Sequence, residues 1–592
     1  MKNKLFLFIL GLAVFCLTLK SLPLQAQSPQ TYPLLDATTQ PKFINSLPSP
    51  TKIDGTKGGN FTIEMRERKQ WLGLYAGSGA DGKYGTSDDQ RLNTNIWGYG
   101  LVGQNVTYPG PTIIAQQDVP IRVEWKNKLP RNGHLLPINE EKLHNPRLKA
   151  ALKQGLVPTV VHHHGGHNSS ASDGIPEAWF TQDYSFTGAD WLQKTYLYEN
   201  THQGEGATQW YHDHAELITR YNVYTGLTGF YLLRNNNEND LIRNNVLPSG
   251  EYERELLIQD KQFTADGQLF YPEQPNTKVP GVTARTGAYG DFILVNGLAW
   301  PQLEVEPRKY RLRLLNGSDS RFYKLQFSNP RKKMYLIGTE QGFRDNPVAL
   351  NNLALSPGER ADLIVDFSKD AGKEFILRNY GPGSDPNTTG QIIKFKVNKP
   401  LSKIPIATVD TNERDGLATL LRVNAISIPK QNAPTRQLVL FKLKEKDNGD
   451  LLLLGTLKDG SFKFSDPVTE KPRLGTTEVW EMYNTTQYAH AIHVHLVAFQ
   501  VLNRQKFTGN LVTQTDPVKG QTKQFLRNVK LVGNTIPVEP YEVGPKDDVI
   551  ANPGEVVRII ANFDKPGEYI WHCHILTHED HDMMRPIEVV RS

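Results

Sequence analysis

Cysteine is almost missing from this 592-residue chain: Cys16 and Cys573 are the only two. Cys16 lies in an N-terminal segment that reads as a removable leader, so one thiol would remain and no internal disulfide could form. A disulfide-stapled scaffold is excluded, and stability has to come from packing. Methionine is scarce too, with six residues. No cluster of lysine or arginine stands out and the formal net charge is +5, which excludes an electrostatic nucleic-acid binder. Beyond residues 5–19 no apolar run approaches the length of a membrane helix.

Lys2 and Lys4 precede the apolar run Leu5 to Leu19, and Leu24-Gln25-Ala26 offers a cleavage site before Gln27. Lys20 and Pro23 break the run too early for a retained anchor. The expectation is a signal peptide over residues 1–26, a secreted or periplasmic product, and no membrane attachment after its removal. Cleavage takes away three lysines and no acid, lowering the formal charge by three to +2. The remaining length suggests three or four domains and buries large cores without covalent staples.

What is abundant is glycine (48) and proline (38), set between short β-branched runs such as Ile121–Trp125, Tyr310–Leu314 and Val556–Ile560. That is an all-β pattern of sandwiches. The clearest helix is expected from Pro146 to Gln154, capped by Asn145 and ended by Gly155. Pro357-Gly358-Glu359, running to Phe367, returns as Pro553-Gly554-Glu555, running to Phe563. A weaker echo links Pro109–Ile113 with Trp300–Leu303. The repeats predict three related β-sandwiches, over 45–235, 250–400 and 436–592, with the stretch 429–435 separating the last two.

There are sixteen histidines, and the informative ones fall in four compact clusters. These are His162-His163-His164; His212-Asp213-His214; His490-Ala491-Ile492-His493-Val494-His495; and Trp571-His572-Cys573-His574, leading to His578 and Met583. Alternate residues of a strand share a face. If the last two clusters lie on adjoining strands, Cys573 and His490 gather on one side. His493, His495, His572 and His574 gather on the other. Two metal sites would then be joined through one Cys–His peptide. His490, Cys573, His578 and a weak axial Met583 make a soft set that suits a blue-copper electron-transfer centre. The remaining eight histidines are enough for three coppers, with positions left open for dioxygen. A copper nitrite reductase would not need that constellation.

These four motifs, in this order, resemble those of the multicopper oxidases. The tail His574-Ile575-Leu576-Thr577-His578-Glu579-Asp580-His581-Asp582-Met583 and the segment Ser172-Asp173-Gly174-Ile175-Pro176-Glu177-Ala178-Trp179 look most like the spore-coat laccase and bilirubin oxidase branch. The resemblance spans nearly the whole chain after residue 26. It implies three cupredoxin-like Greek-key β-sandwich domains and four copper ions. It implies that His162 and His493 hold the type 2 copper. It assigns the type 3 pair to His164, His212, His214, His495, His572 and His574. Ala491 departs from the family, which usually has proline there to restrict the loop backbone, and the exchange is expected to loosen the site slightly while ligation survives. Glu579 and Asp173 match acids near the cluster in this branch and are candidate proton relays. His163, His167, His202 and His581 receive no role, as surface or neighbouring residues.

The acidic loop Asp81–Asp89 lacks the spacing of an EF-hand, so it reads as a solvated loop in preference to a calcium site. The expected activity is one-electron oxidation of a small aromatic donor (a phenol, an aromatic amine or a bilirubin-like tetrapyrrole), with dioxygen reduced to water. The alternatives are a metal oxidase for Fe(II), Mn(II) or Cu(I), and a copper-binding coat protein without activity. Methionine scarcity counts against the Cu(I) version. A monomer is expected.

Overall fold

The computed structural model describes residues 33–591 apart from 139–142, 203, 273–286, 412–419, 425, 427–432, 446–448, 516 and 518–519. The expected signal peptide, with Cys16, and most of the 429–435 connection lie outside the described residues. Among the described residues no helix is long and apolar enough to cross a membrane.

Among the described residues the strands form six sheets, two from each of three consecutive stretches of sequence. A five-stranded and a four-stranded sheet come from Lys52 to Arg234, an eight-stranded and a five-stranded sheet from Glu253 to Lys396, and a seven-stranded and a four-stranded sheet from Thr435 to Val589. Each pair makes a cupredoxin-like β-sandwich. The period-2 pattern explains the faces. In the strand Ile121–Asn127, Ile121, Val123 and Trp125 turn inward while Arg122 is exposed. The expected helix forms at Pro146–Lys153, with the Asn145 side chain accepting the amides of Arg147 and Leu148.

The repeat is structural as well as textual. The strand Arg360–Asp366 pairs antiparallel with Lys309–Asn316, which pairs parallel with Glu253–Phe263. Glu555–Phe563 pairs antiparallel with Thr476–Asn484, which pairs parallel with Thr435–Glu445. The two Pro-Gly-Glu turns therefore enter equivalent strands. Gly358 and Gly554 hold φ of +89° and +70°, the left-handed region that glycine enters without a Cβ clash.

Two features set the stage for the site. In the third sandwich the four-stranded sheet runs Asp548–Ala551, His490–Val494, Gly567–Cys573, Met584–Val589, so the two strands carrying expected ligands are central neighbours. Their apolar face joins a core with Trp480, Phe563 and Trp571, and Cys573 and Met583 belong to it. Between the first and second sandwiches, Arg234, Arg311 and Arg313 interlock with Glu238, Glu253 and Asp362. These charges are buried, and each has a partner of opposite sign, which offsets the cost of desolvation.

Candidate metal centre

Register decides the first question. His493 pairs with His572 and Ile492 with Cys573 across the two central strands of the third sandwich. Cys573 therefore shares a face with Ile492 and His490, and His572 faces away with His493, as strand parity requires. Cys573 Sγ lies 3.5 Å from His490 Nδ1 and 3.6 Å from His578 Nδ1, with all three side chains buried. Thr486 Oγ1 sits 2.7 Å from His490 Nε2, which fixes that ring with Nδ1 toward the sulfur. After Cys573 the chain makes the short helix Leu576–Glu579 and folds back, so that Cys573 N donates to Met583 O at 3.0 Å. The fold-back places Met583, buried, in the same core cluster as the thiol. Burial pushes the Cys573 thiol up; backbone N–H groups of Ile575 and Ala491 act on it in the opposite sense.

On the other face eight imidazoles converge. The strands Val161–His164 and Ala207–Asp213 of the first sandwich set His162 opposite His212. Those rings meet the third sandwich directly: His162 stacks on His495 at 3.9 Å and His164 on His493 at 3.7 Å. Ligand atoms within 4.8 Å of one another group as His162, His164 and His493; as His164, His212 and His574; and as His214, His495 and His572.

Several outer nitrogens have fixed neighbours. Nδ1–H of His162 donates to Asp173 O at 2.6 Å, that of His212 to Asp213 O at 2.8 Å, and that of His493 to Asp547 O at 2.9 Å. A carbonyl can only accept, so in these rings the proton is on Nδ1 and Nε2 carries the lone pair. His495 Nδ1 is 2.7 Å from Asp173 Oδ2. Glu579 spans two rings, its Oε1 3.0 Å from His214 Nδ1 and its Oε2 3.1 Å from His572 Nδ1. Nε2 of His162, His212, His214, His493 and His574 is buried without a hydrogen-bond partner. Such orphaned acceptors are costly unless something fills the space between them. Burial, reinforced by neighbouring imidazoles, holds His162, His212, His490, His493, His495 and His574 well below the ordinary histidine range. Neutral imidazole is the form that binds a metal.

Comparison with known proteins matches the chain to multicopper oxidase family models at residues 261–399 and 432–592. A laccase of Bacillus stratosphericus is 40% identical over 507 residues, covering 84% of this chain and 91% of that protein. The multicopper oxidase LPR2 of Arabidopsis thaliana is 34% identical over 537 residues, covering 84% and 85%. This chain belongs to the multicopper oxidase family. Among solved structures, the McoA multicopper oxidase of Aquifex aeolicus superposes with a TM-score of 0.67 at 24% identity, covering 92% of this chain and 99% of that one.

As a member of this family the oxidase is a copper-dependent oxidoreductase with dioxygen as acceptor. The residues fit that metal: a thiolate with two Nδ1 donors on one face, and on the other convergent neutral imidazoles whose inward nitrogens lack partners. All twelve residues expected as ligands lie in or beside these two clusters. Both candidate relay acids are buried against them, Asp173 on His162 and His495, Glu579 on His214 and His572. Burial pushes Asp173 well above the usual carboxylate range. Burial raises Glu579 too, but its contacts with His572 and His214 outweigh it and hold that carboxyl low.

Three expectations need correction or completion. Ala491 lies in a strand, not a loop: it belongs to His490–Val494, is fully buried, and its carbonyl accepts His574 N at 2.6 Å. His163 is not a surface residue; it turns into the first sandwich, bonded to Gln209 at 3.0 Å and packed on Tyr231 at 4.0 Å. Asp547, Asp548, Arg360 and Gln341 were not anticipated, although Asp548 Oδ2 lies 2.9 Å from His164 Nε2. The adjacent acids Asp547-Asp548 were the one available signal, and nothing in their spacing tied them to the histidines. The Asp81–Asp89 loop behaves as a turn. Asp88 accepts the amides of Ala80 and Asp81, and Asp89 those of Gly85 and Thr86.

Proposed function

We propose that this oxidase is laccase-like, with four coppers per chain, oxidising phenolic, aromatic amine or bilirubin-like donors. His490, Cys573, His578 and Met583 would hold the type 1 ion, His162 and His493 the type 2 ion, and His164, His212, His214, His495, His572 and His574 the type 3 pair. Bound copper supplies one-electron redox chemistry at the thiolate and four-electron reduction of dioxygen to water among the histidines. The observation that carries the reading is the back-to-back register of Ile492–Cys573 and His493–His572. Cys573 is covalently joined to His572 and His574, so the donor-side thiol and the eight-histidine cavity are one peptide bond apart in either direction.

The chain's own residues then have distinct tasks. His490 and His578 are buried, so the donor is kept off the metal ligands themselves and water is excluded from the thiol. Reduction of dioxygen consumes protons, and two buried carboxylates contact three of the eight imidazoles, Asp173 at His495 and Glu579 at His214 and His572. Glu579, beside His214 and His572 at once, would take up a proton at its Oε atoms and pass it on, and Asp173, its carboxyl raised by burial, would give one from the His495 side. The protein would act after export as a monomer.

Oxygen uptake by the copper-loaded protein tests this, with a phenol, Fe(II) and Mn(II) as alternative donors. The expected result is fastest uptake with the phenol. Fastest uptake with either metal ion would replace the proposal by a metal oxidase, and no uptake with any donor would leave a copper-binding protein without activity.

A further inference from the structure

The middle sandwich contributes no histidine to either cluster, yet it grips the segment Pro545-Lys546-Asp547-Asp548 of the third sandwich with six groups. Gln341 N and Thr339 Oγ1 donate to Pro545 O at 3.0 and 2.6 Å. Lys546 Nζ is held by Glu340 at 2.5 Å and Glu359 at 3.0 Å. Gln341 Nε2 donates to Asp547 Oδ2 at 2.5 Å. Arg360 completes the set. Its Nη1 reaches Asp547 Oδ1 at 2.6 Å and Asp548 Oδ2 at 3.0 Å, and its Nη2 reaches Asp547 Oδ2 at 2.6 Å. The remaining Nε donates to Thr208 O of the first sandwich at 2.8 Å. One guanidinium thus touches all three sandwiches, and it is 1% exposed.

The carboxylates that Arg360 holds are themselves against the histidines. Asp548 Oδ2 is 2.9 Å from His164 Nε2, its Oδ1 is 3.7 Å from His493 Nδ1, and Asp547 O accepts His493 Nδ1–H. Gly358, two residues before Arg360, is equally close: a Cβ there would fall 2.9 Å from Asp548 Oδ1 and 3.1 Å from His574. The internal repeat supplies a control. At the matching offsets the third sandwich has Gly554, with nothing within 4 Å of a Cβ, and Val556, a buried apolar residue. The same turn in the same strand of the same fold does not need an arginine. The middle copy has one where the three sandwiches meet.

We propose that Arg360 is a positioning residue for the eight-histidine cluster. By fixing the Asp547 and Asp548 carboxylates it sets the orientation of His164 and His493, so that the ligand-free middle sandwich determines whether this side of the cluster is built. A planar, bidentate guanidinium suits the task because it fixes direction as well as charge. The inference rests on the copper assignment proposed above. Cys573 and His490 lie on the opposite strand face, with His578 beside them in the helix Leu576–Glu579, and none of the three contacts Arg360 among the bonds described, so the two copper sites should respond differently.

The test is copper per chain, type 2 electron paramagnetic resonance and thiolate absorption in the wild type, Arg360→Met and Arg360→Lys, each loaded identically. Arg360→Met should lose at least one copper per chain and the type 2 signal while keeping the thiolate band at full intensity, and Arg360→Lys should regain part of the loss. A full complement with an unaltered type 2 signal in Arg360→Met overturns the inference. If Arg360→Met fails to fold, Asp548→Asn decides by the same readouts, selective loss supporting the inference and full loading overturning it. A wild type that binds copper only at Cys573 would overturn the proposed function, and this inference with it; full loading of wild type and Arg360→Met overturns this inference alone.

Discussion

Replacing Ala491 by proline should lower the reduction potential of the thiolate copper. Ala491 precedes Ile492, the partner of Cys573, and its carbonyl takes His574 N, so its amide also points toward the Cys573 strand. That amide stabilises negative charge on Cys573 Sγ, together with the amide of Ile575. A donor on the sulfur weakens its donation to the oxidised metal and so raises the potential. Proline has no N–H but keeps the carbonyl that accepts His574 N, so the strand should survive. One hydrogen bond is worth roughly 0.5–1.5 kcal/mol net. With 59 mV per tenfold for a single electron, that is a drop of about 20–65 mV. Ile575 keeps its bond, so the site should persist with its absorption band. Spectroelectrochemical titration of the band in wild type and variant measures the shift. An unchanged or higher potential, with the band intact, would refute the reasoning.

Three further substitutions probe separate parts of the account. Glu579→Gln keeps the shape but removes the proton-relaying carboxylate between His214 and His572, so reoxidation by dioxygen should slow about 100-fold or more, while stopped-flow reduction by the donor stays as in the wild type; equal reoxidation rates would remove the relay role. Met583→Leu should raise the thiolate copper's potential by withdrawing the axial sulfur, and a fall on titration would contradict the axial assignment. Cys573→Ser should abolish the intense thiolate band and donor oxidation yet leave copper bound among the histidines, which metal analysis would register; retained donor oxidation would sink the assignment.

How much of this was legible in the sequence follows from the range of the forces involved. Strand parity is local, so His490 and Cys573 could be assigned to one face and His493 and His572 to the other before any contact was known. The return of His578 and Met583 was readable because the Cys573 strand has to end within a few residues of them. The turn repeat at Gly358 and Gly554 marked equivalent strands for the same reason. What stayed hidden depends on contacts far apart in sequence. His164 and Asp548 are 384 positions apart, and Arg360 meets Thr208 and Asp547 at separations of 152 and 187. An arginine in a β-strand looks solvent-facing until the sandwiches that bury it are assembled. The surroundings of His163 were hidden for a similar reason: its sequence neighbours His162 and His164 are ligand candidates, but its own face is an aromatic core that only the fold supplies.

The central claim is that one thiolate site and one eight-histidine site occupy opposite faces of the same strand pair. Copper analysis combined with absorption and electron paramagnetic resonance on the fully loaded wild type tests it most directly. The account predicts four coppers per chain, an intense thiolate band and a near-ultraviolet type 3 shoulder. One copper per chain, with the thiolate band alone, would contradict it.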